Sequence, residues 1–380
     1  MLRIISRKKK LTFNNCSVTL YFLILIISFL VACPVLQSQN EFSIQKQFSF
    51  SNLTVNEGLS QNSVLSIAQD TIGFIWFNTE DGLNKYDGRE FTHYNVPSGE
   101  TKREVKYISG ELFVDKAGIL WVVANSGKLN YYQHETDSFH EVPKFEQVIT
   151  IDQDTDQNYY IGTYGEGLFK IDHQTKDTLQ ILKPKDRHFA VCSFLETDDN
   201  TILASTDDGI IEIKDDDYQF IELAPETIFS RFAKSKTGTV FLGSYEKGLY
   251  LNSKNDIGFK SFTGFDNYPL PGNLIVKDLL VDKQDRLWIT TERLGLFLVD
   301  FGLQTVQNFI YDKNDPYALS SNSLFFMLED NAGVIWIGTQ GNGVCYYDAY
   351  LKKFNVLTDD QVSQNVNIDG VRAIATSYEN

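Results

Sequence analysis

Seven times along this 380-residue chain, a large apolar residue stands six positions after a short polar one. The anchors are Trp76, Trp121, Tyr160, Leu203, Phe241, Trp288 and Trp336. They are separated by 45, 39, 43, 38, 47 and 48 residues, and all four tryptophans of the chain occupy this one position. A pattern with this spacing means one structural unit repeated, and it constrains the fold before any motif is considered. Six residues before the anchor stand Asp70, Asp115, Asp154, Asp282 and Asp330, with Thr197 and Ser235 in the other two copies. Three before it stand Gly73, Gly118, Gly238 and Gly333, then Asn200 and Asp285, with Gln157 departing from the set. A polar side chain that caps a turn, followed by a residue tolerant of left-handed backbone, is hairpin chemistry.

A second glycine follows six or seven residues after each anchor: Gly82, Gly127, Gly167, Gly209, Gly248, Gly295 and Gly343. Short apolar-alternating runs precede and follow these turns. The fourth run of each unit reads "FTHYNV", "FHEV", "LQIL", "FIEL", "FKSF", "VQNFI" and "FNVL". Each unit is therefore four short strands, with no helical period after residue 40. Such a sheet buries both faces only by stacking on its neighbours around an axis, and seven copies close a ring. The expected fold is all-β: a seven-bladed β-propeller of four-stranded antiparallel blades, over residues 41–357, preceded by an N-terminal signal or anchor segment. The aromatic anchors are expected to fill the space between blades.

Two arrangements fit the ends. "FSFSNLT" before the first unit resembles a fourth strand with no blade of its own, able to complete the last blade and clasp the ring. Alternatively, residues 358–380 are a linker and the start of a further blade. "VRAIATSYEN" then opens a second propeller near Gly370, and the chain is the front portion of a longer protein. The second is favoured, because the break falls inside a recognisable unit.

Residues 1–40 carry Arg3, Arg7, Lys8, Lys9 and Lys10 and no acid, ahead of the apolar run Val18–Ala32. A run of about 15 residues is short for a span of roughly 20, so a targeting segment is expected. Three fates stay open: lipidation at Cys33, whose "LVAC" resembles a lipobox although Pro34 is unusual there; signal-peptidase cleavage near "LQSQN"; and an uncleaved anchor. All three place the body outside the cytoplasm, attached to the membrane where the segment is kept. The whole chain has net charge −16, so the body is more acidic still and repels nucleic acid. Cys192 and Cys345 lie in strand-like runs and are expected as buried free thiols.

"LSQNSVLSIAQDTIGFIWFNTEDGLNKYDGREFTHY" (Leu59 to Tyr94) and "LSSNSLFFMLEDNAGVIWIGTQGNGVCYYDAYLKKF" (Leu319 to Phe354) resemble the two-component regulator propeller repeat. That resemblance implies a periplasmic sensor region of the kind found in Bacteroidetes hybrid histidine kinases. It further implies a small-molecule or oligosaccharide ligand and a downstream kinase module or partner protein. The chain itself has no kinase motif, so sensing or binding is expected of it rather than catalysis. A stand-alone propeller that binds protein or glycan is the rival. The repeat also resembles that of streptogramin lyases, which use His, Glu and a metal, but no histidine here falls in a second-to-third-strand turn. No catalytic residue, cofactor or metal site is expected, and pairing with a second copy stays open.

In a propeller, the turn between strands two and three shares a face with the lead-in to strand one. The ligand-binding candidates on that face are Glu80, Asp81, Asn125, Tyr164, Glu166, Asp207, Asp208, Tyr245, Lys247, Glu292, Arg293, Gln340 and Asn342. Asn62, Asn273 and Asn322 enter from the strand-one side. Amides, carboxylates and tyrosines suit hydroxyl-rich ligands through hydrogen bonds and stacking.

Overall fold

The structure is a computed structural model that describes residues 48–96, 110–183, 189–224, 227–253 and 258–350. Those residues form seven four-stranded antiparallel sheets. The first blade runs Val64–Gln69, Ile75–Thr79, Gly82–Tyr86 and Phe91–Tyr94 from the axis outward. Five more blades repeat this order, and their first strands begin at Leu112, Val148, Val191, Phe229 and Val276. First strands of neighbouring blades lie against one another at six junctions, including that of blades seven and one. Between blades two and three, Val148–Gln153 packs on the second strand Leu120–Val123, so the ring is closed. A two-stranded hairpin, Gly264–Phe265 with Tyr268–Pro269, packs on the outer strand of blade six.

Blade seven departs from the expected unit. Its first three strands are Leu324–Glu329, Ile335–Thr339 and Val344–Tyr347, but its fourth is Phe50–Leu53 from the N-terminal side. Phe50 pairs with Tyr347 and Leu53 with Val344. This corrects the reading of "FNVL" as the seventh unit's own fourth strand, because the outer edge of Val344–Tyr347 is already taken. It also shows the clasp that the favoured arrangement of the ends did not use. The clasp is held by burial as well as by its ladder: Phe50 is 3% exposed. Phe48 meets the Trp288 ring at 5.9 Å and the Tyr347 ring at 4.8 Å. The targeting segment with Cys33, "FNVL" itself and the stretch 358–380 lie outside the described residues.

The repeated residues have separable jobs. In four blades, one carboxylate oxygen accepts turn N–H groups and the other accepts the anchor indole. Asp70 Oδ1 takes the amides of Ile72, Gly73 and Phe74, while Oδ2 takes Trp76 Nε1 at 2.8 Å. Asp115, Asp282 and Asp330 bind Trp121, Trp288 and Trp336 at 2.8–2.9 Å. In the blades without Asp, Thr197 and Ser235 accept the amides of Thr201 and Thr239 instead. Three residues before the anchor the backbone is left-handed in all seven copies, including Gln157 at φ 69°. Gln157 thus holds the same turn as the glycines, at a conformational cost.

Every anchor packs against the next blade. Trp76 meets Tyr132 at 5.1 Å, Trp121 meets Tyr159 at 5.3 Å, and Trp336 meets Phe77 across the closure at 5.7 Å. Leu203 and Phe241 sit in the cores shared with Phe229 and with Leu287. The expectation of inter-blade packing is met.

Two residues after the anchor of blades three, five and seven, the neighbouring blade comes so close that only glycine fits. A Cβ on Gly243 would lie 2.5 Å from Val276, and one on Gly338 would lie 2.6 Å from the Val64 carbonyl. Where the residue is polar it bonds across the gap: Asn78 donates to Gly110 O, Ser205 to Ser230 O and Thr290 to Phe325 O, while blade two carries Val123.

Three stability outcomes follow, each read from a thermal or denaturant melt. Gln157→Gly relieves the left-handed strain and raises stability by about 1 kcal/mol. Asp282→Ala strands the Trp288 indole, two part-buried turn amides and the Arg286 guanidinium, and lowers it by about 3 kcal/mol. Gly343→Ala drives a Cβ to 2.1 Å from the Leu53 carbonyl, at a backbone φ of 80°, and opens the clasp. Its loss is about 2 kcal/mol or more.

Candidate functional site

The turns that carry the candidate residues are built to be rigid. Three positions after the anchor stands Thr79, Thr163, Thr206, Ser244, Thr291 or Thr339, with Ala124 in blade two. Each hydroxyl donates to the carbonyl of the turn glycine at 2.7–2.9 Å. In five blades it also accepts a turn amide, from Asp81, Glu166, Asp208, Leu294 or Asn342. The first turn residue then donates its backbone N–H to the lead-in of strand one. Glu80 bonds Ser63 O, Tyr164 bonds Gln147 O, Asp207 bonds Ala190 O, Tyr245 bonds Ile228 O, Glu292 bonds Ile275 O and Gln340 bonds Ser323 O. Turn and lead-in therefore share one face.

On that face the candidates divide. Tyr164, Asp207, Tyr245 and Glu292, the first turn residues of blades three to six, are half-buried. Glu80, Asp81, Asn125, Glu166, Asp208, Lys247, Arg293, Gln340 and Asn342 are exposed. Several are occupied with the scaffold. Asp207 Oδ1 accepts the Ala190 amide at 3.1 Å, Glu80 accepts Gln61 Nε2, and Asn342 donates its side-chain amide to Ser320 O. Asn62 and Asn322 cap loops, accepting the amides of Val55 and Tyr311 at 3.0 and 2.7 Å. Glu166 also lines a shallow cleft of about 340 Å³ with Phe169, Gln180 and Lys183.

Residues not singled out from the sequence join the half-buried group at the ring axis. Six of the seven first strands carry a bulge near their start, such as Val191/Ser193, Phe229/Phe232 and Val276/Asp278. A bulge re-aims side chains, and Cys192, Arg231, Lys277 and Phe326 fall within these irregular stretches. Arg231 of blade five reaches Glu111 of blade two at 2.6 Å, across 120 residues of sequence, with its guanidinium 4.4 Å from the Phe326 ring centre. Glu111 also accepts the Ile151 amide of blade three. Lys277 pairs with Glu292 at 3.0 Å and lies 4.8 Å from the Tyr245 ring centre. A charge in the middle of an apolar inner strand, as Arg231 in "FSRFAK", was the available signal; its partner three blades away was not.

Electrostatics at the axis follow from burial. The Cys192 thiol is pushed up to about 12 by burial, with Asp207 adding to the shift. It stays protonated and is no nucleophile at neutral pH. Burial likewise pushes the Tyr245 phenol up to about 12, so it remains a donor. Burial raises Asp152 to about 7 and Asp278 to about 6, and Glu111 pushes both the same way. Asp278 accepts the Met327 amide of the next blade at 2.8 Å.

Among the described residues, no group of three His, Cys, Asp or Glu is placed to hold a metal. His93, His134, His140 and His173 lie in outer strands or third-to-fourth-strand turns. His188 lies outside the described residues.

The comparisons agree with this architecture. The two component regulator propeller family matches residues 269–293 and 318–341, so the chain carries repeats of that kind. Histidine kinase P4 of Formosa agariphila is 42% identical over 81 residues, which are 21% of this chain and 5% of that protein. The extracellular domain of a putative hybrid two component system from B. thetaiotaomicron superposes with a TM-score of 0.68 at 24% identity. The match covers 83% of this chain and 44% of that one. A second such domain from the same organism gives 0.65 at 18% identity. Virginiamycin B lyase of Staphylococcus aureus gives 0.63 at 11% identity, over 79% of this chain and 99% of the lyase, which is a likeness of fold. The chain spans less than half the length of the extracellular domains it superposes on and a small part of the kinase.

Two outcomes test the axis. Arg231→Met leaves Glu111 without its cation and lowers stability by about 2–4 kcal/mol, and adding Glu111→Gln recovers part of the loss. Asp152 has a folded-state pKa above its unfolded value, so the folded state binds its proton more tightly. Its contribution to stability therefore falls as pH rises from about 4 through 7. Asp152→Asn stabilises the protein at pH above about 7, by about 1 kcal/mol or more, and the gain vanishes near pH 4. Melts of both proteins across pH check the sign.

Proposed function

We propose that this chain is the extracytoplasmic ligand-reading propeller of a two-component sensor, and that its ligands are glycan fragments. The observation that carries the reading is the match of its repeats to the two component regulator propeller, on a ring whose turn face is rigid and polar. A propeller has no moving chemistry of its own. What it offers is a preformed ring of loops, and locked turns keep the cost of ordering low when a ligand arrives. Half-buried tyrosines beside carboxylates and cations supply stacking faces with donors and acceptors for hydroxyl groups. Signal transfer then belongs to a downstream kinase module or partner protein. The basic, apolar N-terminal segment directs the body across the membrane and ties it there where it is kept.

Isothermal calorimetry of the purified chain against a panel of plant, algal and host oligosaccharides tests recognition. Binding of at least one member is expected, and no binding by any removes the glycan reading. Alkaline phosphatase fused after Asn380 is expected to be active in the periplasm. An inactive fusion would overturn the location. Reading the gene in frame beyond Asn380 into a membrane span and a kinase would support the signalling role.

A further inference from the structure

Two donors at the ring axis are unspent. Arg231 makes one side-chain hydrogen bond, to Glu111, and its other guanidinium N–H groups meet no acceptor among the described residues. The Tyr245 hydroxyl likewise donates to none of the described residues, while its ring is capped by Lys277. None of these atoms is buried away from solvent without a partner, so each stays open to a ligand. The surrounding acceptors are Glu292, held by Lys277, and Glu111, held by Arg231. Asp278 and Asp152 are further carboxyl groups within electrostatic reach of Arg231, and Asp207 lies by Cys192. Two cations thus stand among five carboxyl groups. Such a place offers hydrogen-bond donors freely but repels a ligand that brings its own negative charge.

We propose that the axis between blades five and seven is a subsite for an uncharged, polyhydroxylated ligand end, a neutral sugar unit. It takes hydrogen bonds from Arg231 and Tyr245 and gives them to Glu292. This rests on the glycan-reading function above and narrows it to neutral over uronate or sulfated glycans. The Arg231–Glu111 pair holds the guanidinium across the axis, and the Phe326 ring fixes its plane. The donors are therefore placed before the ligand arrives, which is where affinity without reorganisation comes from.

The test is calorimetry of the full chain with two sets of probes: linear oligosaccharides of glucose, mannose and xylose, and oligogalacturonate with sulfated carrageenan fragments. At least one neutral probe is expected to bind, with little dependence on salt. Tyr245→Phe removes only a hydroxyl that the fold does not use. It is expected to leave the melting temperature unchanged and to weaken binding about three- to ten-fold. Arg231→Lys keeps a cation against Glu111 and loses the planar fork, and is expected to weaken binding by a similar factor. Binding confined to the charged probes overturns the neutral subsite and leaves glycan reading intact. Neutral binding that neither substitution changes places the ligand elsewhere and also overturns it. No binding by any probe removes both readings.

Discussion

A sheet buried on both faces has no side to give to water, so seven of them persist only as a closed ring. That closure rests on four residues from the far end of the chain. Phe50–Leu53 pairs with Val344–Tyr347, and the edge that blade seven would otherwise expose becomes an interior ladder. Second strands such as Ile75–Thr79 and Ile335–Thr339 are buried at every position. They are buried because another blade lies on each side. Open the clasp and those faces lose their cover in turn.

Within the ring, each blade is joined to the next by the same few contacts. A large anchor fills the wide part of the gap and a small residue lets backbones meet in the narrow part. At the face opposite the candidate site, blade-to-blade bonds recur as well: Asn331 N to Gln69, Lys116 N to Gln153, Thr155 N to Glu196 and Lys283 N to Glu329. The first of these spans the closure. Such repetition makes a stiff frame, and the turn hydroxyls pass the stiffness to the loops. A recognition face of this kind gains affinity by staying put.

The frame also explains where chemical variety was free to accumulate. Anchor, turn glycine and turn hydroxyl are held by packing between blades, whereas the bulged residues of the first strands make their contacts with one another and with the turns, as Arg231 does with Phe326 and Lys277 with Tyr245. Cys192, Arg231, Lys277 and Phe326 occupy these freer positions. Variation there changes the lining of the axis and leaves the joints between blades alone.

Repetition is what made the fold legible. Trp76, Trp121, Trp288 and Trp336 share a position because each inter-blade gap has the same shape, and a shape repeated in space leaves a period in sequence. Asp70 and Gly73 were readable as a turn because hairpin chemistry is local. Gln157 shows the limit, since a residue with poor left-handed preference still adopts it when both flanking strands are fixed. The face bearing Tyr245 and Glu292 was also readable, because strand order dictates which turns share an end. Two things belonged to the tertiary structure alone. The clasp was one: "FSFSNLT" could complete a blade, but which of two distant segments takes the edge depends on the closed ring. The Arg231–Glu111 pair was the other. It joins residues 120 apart through the centre of the ring, and no local period records what meets across an axis.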